Sequence, residues 1–225
     1  MPADEYTELF DTLLKDTVPQ LPGAQRSVID RELRLVTREF FNRSYAWTEM
    51  LQDLNVAAGE VATVLSEGDA EAEIIGVLDV AFNGRGLTPM PKRPAEADVS
   101  GNSADAPQYW YMHSVPDEIM LYPFLATAQT GLMTVEVALT PDRSQTKLPR
   151  QVTLKYYDAL VDGLLARMFS HPNKPYTDHI LAGQHRHNFL RRVGYYAGQR
   201  KQGFIHAPNW RYGRGWNVRR LGGNG

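Results

Sequence analysis

The sequence predicts a mainly α-helical protein with a β insertion: a four-helix bundle carrying an embedded β-rich domain and an extended C-terminal arm. Three observations predict it. Apolar residues recur at spacings of three and four near both ends of the 225-residue chain. They alternate at a spacing of two through the middle. The last 47 residues, His179 to Gly225, hold nine arginines and lysines with no aspartate or glutamate, and their final stretch has neither period. The expected organisation is a helical bundle from residues 1–46 and 147–202, a β-rich inserted domain over 47–146, and an arm over 203–225.

The first helix is expected from Asp4 to Asp16, with Leu9, Phe10, Leu13 and Leu14 as its apolar stripe and Pro19 and Pro22-Gly23 ending it. The second, Ala24 to Ala46, places Ile29, Leu33, Val36 and Phe40 on one face, with charged residues between. It would be roughly 35 Å long. After Trp47 the period changes. Leu51 to Val56 and Val61 to Leu65, split by Ala57-Ala-Gly-Glu60, read as a hairpin. Ile74 to Phe82 is rich in β-formers and runs into Asn83-Gly84, a strong hairpin signal. Lys92 to Pro107, rich in proline and small polar residues, reads as a mobile loop.

Further strands are expected at Tyr109–His113, Glu118–Phe124 and Leu132–Thr140. In the last, Met133, Val135, Val137 and Leu139 alternate with Thr134, Glu136, Ala138 and Thr140, giving one buried and one exposed face. Helical period returns near Leu148, and Leu154, Tyr157, Val161, Leu164, Leu165 and Met168 would line a third helix. A Thr177 N-cap would open a fourth, with Leu181, Phe189, Val193 and Tyr196 facing inward.

No cysteine is present, so no disulfide, thiol nucleophile or thiolate metal site exists. No apolar run approaches the ~18 residues of a membrane span, so no membrane is expected as a partner. Asp158 and Asp162, four apart, read as two solvated acids rather than a catalytic pair, because nothing basic lies beside them in sequence. His179, His185 and His187 point to different helix faces, so no metal site is expected. Gly84-Arg-Gly86 and Gly213-Arg-Gly215 lack the strand-to-helix context of a phosphate cradle. No enzyme, catalytic residue or cofactor is expected.

The arm carries the functional expectation. A formal net charge of −2 hides an acid-free C-terminal segment of +9 on a body holding the other 15 basic residues against all 26 acids, net −11. Such a segment finds the acidic body of a neighbour, or nucleic acid. The candidate partner-binding residues are Trp210, Arg211, Tyr212, Arg214, Trp216, Arg219 and Arg220. Tryptophan and tyrosine are interface anchors, and a segment meant only to be solvated gains nothing from them. The same composition suits a DNA-binding module, with arginines on phosphates and rings on bases.

The order of several local signatures resembles the head-to-tail adaptor (connector) proteins of tailed bacteriophages. Phe40-Phe-Asn-Arg-Ser-Tyr-Ala-Trp47 is similar to that family's aromatic exit from the second helix. Glu118-Ile-Met-Leu-Tyr-Pro123 and Val135-Glu-Val-Ala-Leu-Thr-Pro141 look like its strands closed by proline. Leu148-Pro149, Tyr157 with Gly163 to Met168, and Lys174-Pro-Tyr-Thr-Asp178 followed by Leu181, Ala182 and Phe189 resemble its last two helices. The resemblance implies a virion protein at the head-tail junction, assembled in the host cytoplasm. It implies a homo-oligomeric, dodecameric ring beneath the portal protein, with a tail tube or nozzle protein on the far side and packaged DNA passing through the lumen. It also implies that the arms dock on the portal.

Overall fold

The computed structural model describes residues 6–59, 61–66, 72–90, 103–104, 106–113, 117–143 and 147–201. Among the described residues, two α-helices precede the main run of strands and two follow it. A short strand β1 (Tyr6–Glu8) leads into α1 (Leu9–Thr17), and a single 3-10 turn at Val18–Gln20 leads to α2 (Arg26–Ser44). The middle of the chain supplies β2 (Thr48–Val56), β3 (Thr63–Val64), β4 (Ala72–Phe82), β5 (Arg85–Gly86), β6 (Thr88–Pro89) and β7 (Ser103–Ala104). It continues with β8 (Tyr109–Met112), β9 (Glu118–Tyr122), β10 (Phe124–Leu125), β11 (Gln129–Pro141) and β12 (Lys147–Pro149). The chain closes with α3 (Arg150–Phe169) and α4 (His179–Lys201).

This is not the mainly α four-helix bundle that the sequence predicts. The described residues are 43% helix and 33% strand, with two sheets of substance, so the fold is mixed α and β. Two physical causes account for the difference. At nine residues α1 is only about 13 Å long, too short to be a full member of a bundle, and α2, α3 and α4 form the helical core without it. The long strand β11 packs on α2, so strand residues share the helices' core instead of hanging from it. A single buried cluster runs from Leu13, Leu33 and Phe40 through Trp47, Val80, Trp110 and Val135 to Leu164 and Phe189.

The sheets explain which strand expectations hold. Sheet one has the order β2-β11-β4-β5, all antiparallel, and sheet two the order β3-β9-β8-β6, with β6 parallel to β8. The Asn83-Gly84 signal is met: both residues have positive φ (49° and 74°), and Phe82 faces Arg85 across the turn. The hairpin expected between Leu51–Val56 and Val61–Leu65 does not form. β2 pairs instead with β11, placing Thr48 opposite Ala138, while β3 pairs with β9. Alternation shows that a segment is a strand but not which partner it takes.

Four other details are corrected. Residues 6–8, expected to be helical, pair antiparallel with Lys147–Pro149, and α3 accordingly starts at Arg150 behind Pro149. The N-cap of α4 is Asp178, whose Oδ1 accepts from the amides of Ile180 and Leu181. Thr177 serves the preceding turn: its Oγ1 accepts from the Lys174 amide and donates to the His171 carbonyl. In β11, Ala138 and Thr140 are buried along with Met133, Val135, Val137 and Leu139. Tyr45, at the end of α2, lies 3.8 Å from where a Cβ on Gly76 would sit, and Gly76 faces Ala138, so that side is covered too. Of the loop expected over Lys92–Pro107, Ser103–Ala104 form a parallel pair with β10, and most of the remainder lies outside the described residues.

The helices meet where Gly163 of α3 lets them. A Cβ there would stand 2.5 Å from Val36 Cγ1 and 2.8 Å from Phe189 Cδ2, so α2 and α4 approach α3 over a bare backbone. Around that point Phe40 packs against Phe41, Tyr156, Phe189 and Tyr196 with centroids 5.2 to 6.3 Å apart. Each such pair adds about 0.5–1.5 kcal/mol beyond its buried area. Tyr156 also donates its hydroxyl to the Ala46 carbonyl at 2.8 Å, and the Leu139 amide donates to the Trp47 carbonyl at 2.9 Å. Those two bonds fix the point where helix hands over to sheet.

Candidate assembly surface

None of the seven residues expected to bind a partner is placed: Trp210, Arg211, Tyr212, Arg214, Trp216, Arg219 and Arg220 lie outside the described residues. What is described is the platform from which that segment leaves. α4 runs antiparallel along α3, and near its C-terminal end the Tyr196 hydroxyl donates to the Lys155 carbonyl at 3.2 Å. One turn later Arg200 meets Glu136 of β11 at 2.7 Å, with both side chains mostly buried. The root of the arm is therefore pinned to the central strand of sheet one.

The platform is held by charge. Glu32 and Glu39, seven residues apart, lie on the face of α2 turned toward α3 and α4. Arg167 of α3 bridges them, at 3.3 Å to Glu32 and 3.1 Å to Glu39. Arg186 of α4 closes on Glu39 at 2.8 Å. Burial alone would push the Glu39 carboxyl up; the hydrogen bonds and charges of Arg186 and Arg167 outweigh it and hold Glu39 below its ordinary value.

A second cluster corrects the reading of Asp158 and Asp162 as two solvated acids. Asp162 is buried, with Oδ1 2.9 Å from His185 Nδ1 and Oδ2 3.0 Å from Arg192 Nε. Arg192 also reaches the exposed Asp158 at 3.1 Å. The basic partners lie 23 to 34 positions away along the chain, on the returning helix, where spacing cannot show them. Chemically the cluster is an interhelical clamp, with both Asp162 carboxylate oxygens taken up by side chains of α4. His187 is exposed on another face, and among the described residues no three of His, Asp or Glu gather as for a metal. Among them, too, no helix is long and apolar enough to cross a membrane.

A feature that sequence reasoning missed lies at the junction of α1 and α3. Lys15, Asp16, Leu154, Lys155, Tyr157 and Asp158 line an open cleft of about 440 Å³. Leu154, expected to face the core, is 55% exposed. Leu164, Leu165 and Met168 are buried as expected, Tyr157 and Val161 are partly buried against the core, and Tyr156, Ala159, Leu160 and Gly163 complete the inward face. The Tyr157 hydroxyl donates to Asp16. Burial first, then that bond and the Asp16 and Asp158 charges, push its pKa up to about 12. It is a hydrogen-bond donor at any ordinary pH.

Charge is partitioned along the fold. Residues 47–146 hold 15 acids and 4 bases, net −11; residues 1–46 and 147–202 hold 16 bases and 11 acids, net +5; and 203–225 add four arginines. The described clusters tie helix to helix, and the chain ends in an acid-free segment carrying two tryptophans and a tyrosine, an arrangement of structural rather than site chemistry. A family model described as SU10 adaptor protein matches residues 1–211, and the chain belongs to that family of phage head-to-tail adaptors. It is a phage adaptor and a virion component. The match includes Trp210 and Arg211 and stops before Tyr212, Arg214, Trp216, Arg219 and Arg220. No curated protein matches the chain.

Proposed function

We propose that the chain forms a homo-oligomeric ring joining the capsid portal to the tail, with packaged DNA passing through its lumen. In this reading the helical segments 1–46 and 147–202 make the ring body, and residues 47–146 face the tail tube or nozzle. The arm, 203–225, binds the portal or an adjoining subunit through Trp210, Tyr212 and Trp216. Arg211, Arg214, Arg219 and Arg220 pair with acidic residues of the partner. The observation that carries the reading is the adaptor-family match over 211 of 225 residues. The charge partition supports it, because the acidic residues 47–146 do not hold the phosphate backbone that must slide past them.

The test mixes purified protein with portal and images the product by negative stain. A ring seated on the portal, retained in moderate salt, is the expected result. If the protein instead shifts bare DNA with a steep salt dependence and leaves portal alone, it is a DNA-binding module acting through the arm, and the adaptor-ring reading fails.

A further inference from the structure

The cleft between α1 and α3 has a composition that no packing role in the subunit explains. Its floor is Leu154, a large apolar side chain 55% exposed, and its wall is Tyr157, fixed by its bond to Asp16. Two carboxylates, Asp16 and Asp158, face two lysines, Lys15 and Lys155, so the cleft is uncharged overall. The Asp158 side chain is 69% exposed and keeps room for a second cation beside Arg192. An apolar floor with an aromatic wall and exposed carboxylates suits a peptide of aromatic and arginine residues. It offers nucleic acid no net positive charge to hold its phosphates.

Such a segment begins next to the cleft. Tyr196 hydrogen-bonds Lys155, a cleft residue, and α4 ends at Lys201, about 7.5 Å further along the helix axis. Trp210 is nine positions beyond Lys201, an extended reach of about 30 Å. We propose that this cleft is the seat of the chain's own arm in the unassembled subunit, with Trp210 over Leu154 and Tyr157, and Arg211 and Arg214 beside Asp158 and Asp16. The free subunit thereby covers an aromatic segment that would otherwise associate without a proper partner. This goes beyond the adaptor reading, and it holds or fails in the purified chain with no portal present.

Tryptophan fluorescence tests it, because Trp47 and Trp110 are buried in the core and form a constant background that a Trp210→Phe/Trp216→Phe chain measures. The full chain is studied at concentrations where light scattering shows a monomer. In the wild type the arm tryptophans should be shielded from acrylamide. Leu154→Glu should red-shift the emission and raise the quenching constant about twofold, since arm tryptophans among the chain's four change surroundings. Arg211→Glu/Arg214→Glu, which leaves the folded body untouched, should do the same. Unchanged circular dichroism and melting temperature show that each variant is folded. The proposal is overturned if the arm tryptophans are already fully quenchable in the wild type, or if folded Leu154→Glu leaves them shielded. Shielding that grows with protein concentration overturns it as well, because a second copy is then the host.

Discussion

At the scale of single residues, Gly163 decides how closely the three long helices approach. Its missing Cβ is a space already taken by Val36 Cγ1 and the Phe189 ring, and a short β-branched side chain can give little. Gly163→Ala should therefore destabilise by about 1–3 kcal/mol despite the better helix propensity of alanine, and calorimetry should show a lower melting temperature. Glu39 is the second decisive residue. Its folded pKa lies below the unfolded value, so its contribution is complete above about pH 4.5 and is lost as pH falls through the lowered pKa. Glu39→Gln should flatten the fall in melting temperature on acidification below about pH 4.5 relative to wild type, measured in a pH series. An unchanged slope would mean that the clamp contributes nothing. Neither residue's role is visible along the chain: Gly163 reads as an ordinary helical glycine, and of the arginines that reach Glu39 only Arg43 is local, while Arg167 and Arg186 lie 128 and 147 positions away.

At the scale of elements, what the sequence reveals depends on whether a signal is local. The Asn83-Gly84 turn was legible because two adjacent residues with positive φ specify it. The central stretch of α2 was legible because an amphipathic face repeats over many turns, whereas in α4 Phe189 and Val193 are buried as expected but Leu181 is exposed and Ala182 is buried beside it. Strand pairing was not: β2 takes a partner some eighty residues on, and alternation is the same for any partner. The ends of helices shifted where a strand or cap competed, as at β1 and at Asp178. The cap is testable by itself. Asp178→Ala leaves the amides of Ile180 and Leu181 without their acceptor and should cost about 1 kcal/mol, whereas Thr177→Ala should fray the turn before α4 and leave α4 itself intact. Amide exchange in the first turn of α4 separates the two: Asp178→Ala should accelerate it and Thr177→Ala should not.

At the scale of the whole molecule, charge and aromatic surface make opposite predictions for assembly. The acidic residues 47–146 and the basic helical segments polarise the subunit, yet the arm's four arginines sit on a stretch that also carries two tryptophans and a tyrosine. Rim arginines give about 0.2–1 kcal/mol each and are screened by salt, while a tryptophan seated in a pocket is typically worth more than ~2 kcal/mol. If the arm binds a protein partner, the rings must dominate. Trp210→Ala or Trp216→Ala should then weaken portal attachment more than any one of Arg211→Ala, Arg214→Ala, Arg219→Ala or Arg220→Ala, and moderate salt should leave attachment standing. If the arm binds DNA, the order reverses: arginine losses dominate and affinity falls steeply with salt. Removing residues 203–225 tests both at once. The described core ends at Lys201, with Arg200 already anchored on Glu136, so the shortened chain should keep its circular dichroism and melting temperature. It should fail to join portal in a pull-down at concentrations where the full chain joins completely. A shortened chain that attaches with unchanged affinity would remove the arm from assembly and leave the helical and sheet surfaces as the only means of attachment.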